Sequence, residues 1–300
     1  MRLLGFGILA AVTFTACSLP AFPSKGTSGT GGDGTFVSLS AGWGDTCGLK
    51  TDATLACWGD NSHGQATPPS GTFVTVSVGD LYACGVGRGG TIACWGCNTS
   101  PWDGTFIGQA TPPAGTFASV DAGWVHTCGV KSDATIACWG YDGSGQATPP
   151  AGTFASVSAG GSFTCGVASD GTIVCWGDNT YGQNTQPTGA FTSVSAGGVH
   201  ACGVASDATL ACWGDNTYGQ ATPPAGTFTS VSAGVAHACG VASDGTIACW
   251  GDNTYGEAAP PPDTFSSVSA GAGYTCGVKT DSTIICWGEN TYGQATPSAK

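Results

Sequence analysis

Cysteine offers the richest chemistry in this chain, and its spacing is regular. Sixteen cysteines occur in 300 residues, and fourteen of them fall into seven pairs with nine residues between partners. In an exported chain such pairs are expected to be disulfides rather than reduced metal ligands. The predicted disulfides are Cys47–Cys57, Cys84–Cys94, Cys128–Cys138, Cys165–Cys175, Cys202–Cys212, Cys239–Cys249 and Cys276–Cys286. Cys17 and Cys97 are left over.

Three histidines could also do chemistry, because His126, His200 and His237 each stand two residues before the first cysteine of a pair. A shared metal would need their nitrogens within about 2 Å of one ion, which equivalent positions of separate repeats rarely reach. We therefore interpret these histidines as scaffold and predict no metal site.

Catalytic motifs are missing from the sequence. It contains no nucleophile elbow, no His-Glu-x-x-His and no glycine-rich phosphate loop with a lysine. The only glutamates, Glu257 and Glu289, belong to a repeated Asp-Asn-x-Tyr-Gly-Gln segment. That segment has too few acidic oxygens for a calcium loop and is typical of a turn. We predict that the protein is not an enzyme and needs no cofactor.

The elements that carry the cysteines repeat every 37 residues, except for one step of 44 that includes an insertion at about 98–104. Each unit predicts three short strands, the last two joined in a hairpin about a triplet such as Ser243-Asp244-Gly245. The paired cysteines then face each other across the hairpin. The third turn residue is Ala in three units (Ala53, Ala134 and Ala208), which leaves the turn type open.

Seven similar units without atypical ends favour a closed ring over an open solenoid. We predict an all-β fold, a seven-bladed β-propeller with mainly three-stranded blades, each stapled by a hairpin disulfide. The strand with the sequence Val-Ser-Ala-Gly has small side chains, so we expect it to lie next to the axis, where the blades converge and leave little room. The tryptophan of each Cys-Trp-Gly segment suits the packing between blades.

The recurring segments Ser-Ala-Gly, His-x-Cys-Gly-Val, Ser-Asp-Gly-Thr, Cys-Trp-Gly and Asn-x-Tyr-Gly-Gln extend over residues 35–294. In these segments the chain resembles the repeat of the regulator of chromosome condensation, in its short bacterial version. The resemblance implies a seven-bladed propeller, and the architecture is similar to that of a secreted propeller-type β-lactamase inhibitor. The nucleotide-exchange activity of eukaryotic members is not expected here, because no segment matches their GTPase-contacting loop.

The N-terminus predicts export. An apolar run at residues 3–16 follows Arg2, and the segment 14–17 resembles a lipobox that ends at Cys17. We expect a signal at 1–16, a lipidated or flexible tether at 17–32 and the propeller at 33–300. Secretion without a lipid is the alternative. The predicted location is the outer membrane or cell surface, with membrane contact only through a lipid on Cys17.

The net charge of -12 disfavours nucleic acid as a partner. The units differ most between their first and second strands, in loops that would share one end of the propeller. Large side chains there resemble interface anchors, although drift or plugging of the axis would also explain them. With Trp102 of the insertion, the candidate contact residues are Trp43, Asp80, Leu81, Tyr82, Trp102, Trp124, His126, Phe163, His200, His237 and Tyr274.

These observations predict a monomeric protein-binding module whose partner is an extracellular or envelope protein. Inhibition of an extracellular enzyme is one form of that function. Two alternatives stay open. One is a structural envelope or adhesion component. The other is a carbohydrate-binding or carbohydrate-cleaving propeller that uses its aromatic side chains as platforms.

Overall fold

The computed structural model describes residues 34–297. The predicted signal, the tether and the lipidation site Cys17 lie outside this range. The strands of the seven sheets are β1 (Phe36–Ala41), β2 (Asp45–Lys50) and β3 (Leu55–Gly59) in blade 1; β4 (Phe73–Val78), β5 (Tyr82–Gly87) and β6 (Ile92–Gly96) in blade 2; β7 (Phe117–Ala122), β8 (His126–Lys131) and β9 (Ile136–Gly140) in blade 3; β10 (Phe154–Ala159), β11 (Phe163–Ala168) and β12 (Ile173–Gly177) in blade 4; β13 (Phe191–Ala196), β14 (His200–Ala205) and β15 (Leu210–Gly214) in blade 5; β16 (Phe228–Ala233), β17 (His237–Ala242) and β18 (Ile247–Gly251) in blade 6; β19 (Phe265–Ala270), β20 (Tyr274–Lys279) and β21 (Ile284–Gly288) in blade 7.

Each blade is an antiparallel sheet whose three strands follow one another in chain order. The predicted seven-bladed, all-β architecture is confirmed. The paired cysteines stand directly opposite each other on the second and third strands, as Cys239 and Cys249 do, and all seven predicted disulfides form. Closing a loop of this length stabilises the fold by roughly 3 kcal/mol through the unfolded state. So many disulfides are typical of extracellular proteins.

The hairpin turns share one backbone geometry, and this geometry settles the turn type that Ala53, Ala134 and Ala208 left open. The third turn residue has a positive φ in all seven blades, from Ala134 at 66° to Gly171 at 87°. Its amide donates to the carbonyl of the residue three positions earlier, as Ala53 does to Lys50 at 2.9 Å. This is a type I turn that ends in a left-handed residue. Alanine and Ser282 therefore occupy a conformation that favours glycine.

The seams between blades repeat one hydrogen bond. The indole of Trp250 on β18 donates to the Gln220 carbonyl of the turn before it at 2.9 Å, and the other six blades form the same bond at 2.7–2.9 Å. Under the tryptophan, a Cβ on Gly240 would meet the Phe228 ring at 2.7 Å, so the glycine of each Cys-Gly-Val segment makes room for that ring. Packing between blades therefore explains the tryptophan pattern.

The ring closes through side chains and backbone rather than through an exchanged strand. The Gln294 carbonyl, after blade 7, accepts bonds from the Trp58 indole at 2.8 Å and the Thr46 hydroxyl at 3.1 Å in blade 1. The Tyr274 hydroxyl donates to the Asp45 carbonyl at 2.7 Å. Blade 7 thus packs on blade 1 as every other blade packs on the next. Within residues 34–297, no helix is long and apolar enough to cross a bilayer.

Candidate functional site

The strand directions give the propeller two chemically distinct ends. The first strand of each blade runs toward one end, the second returns and the third runs back. The loops between first and second strands and the turns after third strands therefore meet at one end, which we name the loop end. The Asp60 amide bonds the Gly44 carbonyl there at 2.8 Å. The hairpin turns form the opposite hairpin end.

Six predicted contact residues do not face solvent. They begin the second strands, and their side chains are at most 1% exposed because they fill the seam with the next blade. Burial therefore corrects the prediction that they offer contact area to a partner. The six residues are Tyr82, His126, Phe163, His200, His237 and Tyr274.

The hydrogen bonds of these side chains depend on one residue of the next blade. The Nε2 atoms of His126 and His237 lie 2.8 Å from the hydroxyls of Thr164 and Thr275. Phe163, which cannot form such a bond, faces a blade with Ala201 at that position. His200 departs from this match, because it faces a blade with Ala238 at that position and its Nδ1 and Nε2 atoms are buried without a hydrogen-bond partner within residues 34–297. The residue one unit later therefore accounts for the seam partner in most blades but not in this one.

Burial also removes the charge of the histidines. It lowers the pKa of His126 and His200 to about 4 and that of His237 to about 3. These imidazoles are neutral at physiological pH and act as packing groups. Among residues 34–297, no cluster of three or more His, Cys, Asp or Glu side chains is arranged to hold a metal ion.

A small cavity of about 80 Å³ opens around the axis at the loop end, lined by the ends of all seven first strands and the loops that follow. The half-buried indoles of Trp43 and Trp124 and the side chain of Asp80 belong to its lining. The Trp124 ring extends over neighbouring blades, since a Cβ on Gly198 would approach it to 3.2 Å. Leu81, the remaining candidate from these loops, is buried against Cys97.

The buried side chains of Asp45 and Asp80 and the half-buried side chain of Asp121 lie near this cavity. Burial raises the pKa of Asp80 to about 7 and that of Asp121 to about 7. It also raises the pKa of Asp45 well above its usual value, with smaller contributions from the charges of Asp60 and Asp80. Asp121 stands where all six other blades place a serine, and the hydroxyls of Ser77 and Ser158 form hydrogen bonds with its carboxyl group.

Exposed aromatic side chains occupy the turns after the third strands. Trp102 is 62% exposed, Tyr141 38%, Tyr181 55% and Tyr218 58%, and they belong to four consecutive turns after blades 2 to 5. Trp102 and Tyr141 make an edge contact with centroids 5.8 Å apart. Of these four residues the sequence predicts only Trp102 as a contact residue, because the tyrosines belong to a repeated turn that resembles scaffold.

The exposure of these tyrosines follows from the neighbouring loop. Tyr255 packs on the loop of blade 7, where a Cβ on Gly273 would meet its ring at 3.2 Å. At the equivalent positions facing Tyr181 and Tyr218, the loops carry Val199 and Ala236. A side chain there takes the space that glycine leaves open, so the two tyrosines project into solvent.

The insertion in blade 2 forms a compact projection beside this row. Thr99 bridges to Phe106, which is 57% exposed, and the Ser100 amide bonds the Thr105 carbonyl at 2.7 Å. Cys97 is buried at its base.

Charge separates the two ends. The Lys and Arg residues of the described range all follow or end second strands and so lie at the hairpin end; they are Lys50, Arg88, Lys131 and Lys279. The turns of the loop end carry Asp60, Asp142, Asp178, Asp215, Asp252 and Glu289. The loop end is therefore aromatic and acidic.

A family model described as "Regulator of chromosome condensation (RCC1) repeat" matches six segments of 30 residues, which together exceed half of the chain. The unmatched unit is the second, which holds the insertion. The matched residues are 36–65, 117–146, 154–183, 191–220, 228–257 and 265–294. No curated protein matches the chain.

Solved structures are similar over most of the chain. The ectodomain of receptor kinase CR4 from Physcomitrella patens is 28% identical, with a TM-score of 0.71, over 86% of this chain and 75% of that one. The ectodomain of Arabidopsis thaliana ACR4 is 28% identical, with a TM-score of 0.69, over 85% and 98%. Prp20p from Saccharomyces cerevisiae, at 16% identity and a TM-score of 0.68 over 87% and 84%, shares the fold.

Proposed function

Because this chain belongs to the regulator of chromosome condensation repeat family, we propose that it is an exported propeller that binds another extracellular protein with its loop end. One observation carries the proposal. Trp102, Tyr141, Tyr181 and Tyr218 are exposed on four consecutive turns of that end. Exposed aromatic side chains in a row are typical of protein interfaces, because they bury a large area at a small entropy cost.

Known structures of similar fold support a binding role. The Prp20p structure is described together with binding to Gsp1p and histones, and a second structure has Kap60 bound to the same yeast protein. The two plant proteins are receptor ectodomains. Inhibition of an extracellular enzyme is one form that binding by this chain would take.

The place of action follows from the disulfides and the N-terminus. Seven disulfides need an oxidising compartment. We place the protein at the cell surface, held by a lipid on Cys17. The mass of the mature N-terminal peptide tests this, because an unmodified peptide that begins elsewhere contradicts the anchor.

The interface test uses the chain on intact cells with a cross-linker. The variant Trp102→Ala/Tyr181→Ala/Tyr218→Ala removes exposed rings only, so we expect at least a tenfold loss of capture of the cross-linked partner with unfolding temperature little changed. The matched control, Val37→Ala/Val74→Ala, trims side chains that are 57% and 50% exposed near the hairpin end. It should capture the partner as the parent chain does.

Three outcomes separate the alternatives. Undiminished capture by the triple variant overturns the loop-end assignment. Binding to glycans that the same variant loses, without any protein captured, favours the carbohydrate function. A deletion strain with a weakened envelope and no stoichiometric partner favours the structural role.

A further inference from the structure

The axial cavity has a polar and aromatic wall on one side only. At the second position of the seven loops, blades 4 to 7 carry small residues, which are Gly161, Gly198, Val235 and Ala272. The last three of these line the cavity. Blades 1 to 3 supply Trp43, Asp80 and Trp124 at the same position. Small residues would suffice to close the axis, so packing alone does not explain why Asp80 stands between Trp43 and Trp124 in the order of the blades.

Asp80 is the unusual member of this wall. Its side chain is 7% exposed, and its Oδ1 atom is buried with no hydrogen-bond partner within residues 34–297. Five of the loops are joined amide to carbonyl around the axis, as Gly198 is to Gly234 at 3.0 Å and Ala272 to Gly42 at 3.1 Å. Among the described residues, the Asp80 amide makes no such bond to Gly123.

Nothing in the described chain neutralises this carboxyl group. Its charged neighbours around the axis are the acids Asp45 and Asp121, and the lysines and arginine lie at the hairpin end. Burial of an uncompensated acid costs free energy, and such groups are enriched at functional sites.

We propose that the axial cavity binds a primary alkylammonium group, the tip of a lysine side chain of a partner, with Asp80 accepting its hydrogen bond and Trp43 and Trp124 flanking the cation. An ammonium group supplies the positive charge that would compensate the carboxylate of Asp80. Indole faces also attract cations within about 6 Å. The cavity of about 80 Å³ is far below the roughly 300–1,000 Å³ of a site for a whole small molecule, so it fits a side-chain tip.

The identification of the ligand as a partner's lysine rests on the proposed function, whereas binding of a free alkylammonium ion does not. The probe is n-butylammonium chloride, titrated at constant ionic strength and followed by the NMR shifts of the indole N–H groups. The neutral control is n-butanol, which has the same chain without the charge. We expect millimolar binding of the amine and at least tenfold weaker binding of the alcohol.

Variants test the assignment to Asp80. Asp80→Asn should weaken butylammonium binding at least tenfold, with the fold verified by its unfolding temperature. The control Asp252→Asn removes one negative charge from another loop-end turn, so it should change the affinity less than twofold. Trp124→Ala should weaken binding as well, because it removes one aromatic wall.

Equal binding by Asp80→Asn and the parent chain overturns the proposal, as does equal binding of butanol and butylammonium. Tighter binding of ethylguanidinium than of butylammonium overturns the assignment to lysine. Butylammonium binding without any captured protein contradicts the proposed function alone. Partner capture that survives Asp80→Asn, together with no butylammonium binding, contradicts this inference alone.

Discussion

The aspartates of the hairpin turns and those near the axis at the loop end are in opposite environments. At the hairpin end, six of them accept bonds from the threonine two residues later, as Asp244 does from the Thr246 amide at 2.9 Å and hydroxyl at 2.7 Å. These bonds lower the pKa of all six, which are Asp52, Asp133, Asp170, Asp207, Asp244 and Asp281. Around the axis at the loop end, burial raises the pKa of Asp45, Asp80 and Asp121.

This difference shows which end of the fold is optimised for stability and which is not. The hairpin end holds exposed acids with local donors and all the described lysines and arginines. The loop end holds buried acids without cations and exposed aromatic rings. Costs of this kind are typical of surfaces selected for binding rather than for stability.

The largest effect is expected from Asp80→Asn at neutral pH. Folding raises the pKa of Asp80 to about 7 from an unfolded value near 3.9, so its protonated form favours the native state. The contribution of this carboxyl group to the stability of the parent is therefore greatest below about pH 4, falls between about pH 4 and pH 7, and changes little above pH 7. The free energy of unfolding of the variant should exceed that of the parent by about 2–4 kcal/mol at pH 8 and should differ little from it at pH 4.

Urea unfolding at both pH values measures this effect. The control Asp52→Asn changes an exposed acid of the hairpin end whose pKa is lowered, so it should show no gain at pH 8. If Asp80→Asn and the parent were equally stable at pH 8, burial of the Asp80 carboxyl group would carry no cost, and the contrast with the exposed aspartates of the hairpin turns would not hold.

A smaller gain is expected from Glu257→Gln in the loop-end turn of blade 6. In blade 5 the Gln220 amide donates to Asp215 at 2.7 Å, whereas Glu257 has no N–H to donate to Asp252. Burial raises the pKa of Glu257, and the nearby charge of Asp252 adds to the shift. Glutamine should increase the free energy of unfolding by about 1–2 kcal/mol at pH 7, and by less as the pH falls toward about 4, where Glu257 is protonated in the folded state.

Thermal unfolding at pH 7 and pH 4 checks this gain. The reverse change, Gln220→Glu, should cost a similar free energy at pH 7 by introducing the same acid into blade 5. Two variants that shift stability in the same direction would contradict the hydrogen-bond explanation.

The smallest effect is expected at the hairpin end from Ala208→Gly. Ala208 has φ of 69°, which strains an L-residue, and glycine relieves that strain at some entropy cost in the unfolded chain. The net gain should be about 0.5–1 kcal/mol in urea unfolding. Gly245→Ala changes the equivalent turn of blade 6 in the opposite direction and should lose a similar amount, since the nearest atom to a new Cβ is 3.6 Å away. Gains from both variants would exclude the backbone explanation.

Much of the fold could be predicted from local pattern. The spacing of Cys239 and Cys249 about Asp244 predicts the hairpin and its disulfide, because facing residues of a two-stranded ribbon lie at equal distances from the turn. The glycines and tryptophans recur at one register, which predicts the seams. The contact surface was predicted less well, since His200 and Tyr274 differ among units for reasons of packing in the seam rather than of recognition.

The sequence by itself determined the all-β class, the number of blades, the seven disulfides and the end at which the loops vary, because all of these follow from short-range periodicity. Only the tertiary structure decided which variable residues reach solvent. Val199 leaves Tyr181 exposed, and Gly273 lets Tyr255 pack down. The burial of Asp80 beside the axis also depends on blades brought together by ring closure, and such contacts between distant segments determine exposure and pKa.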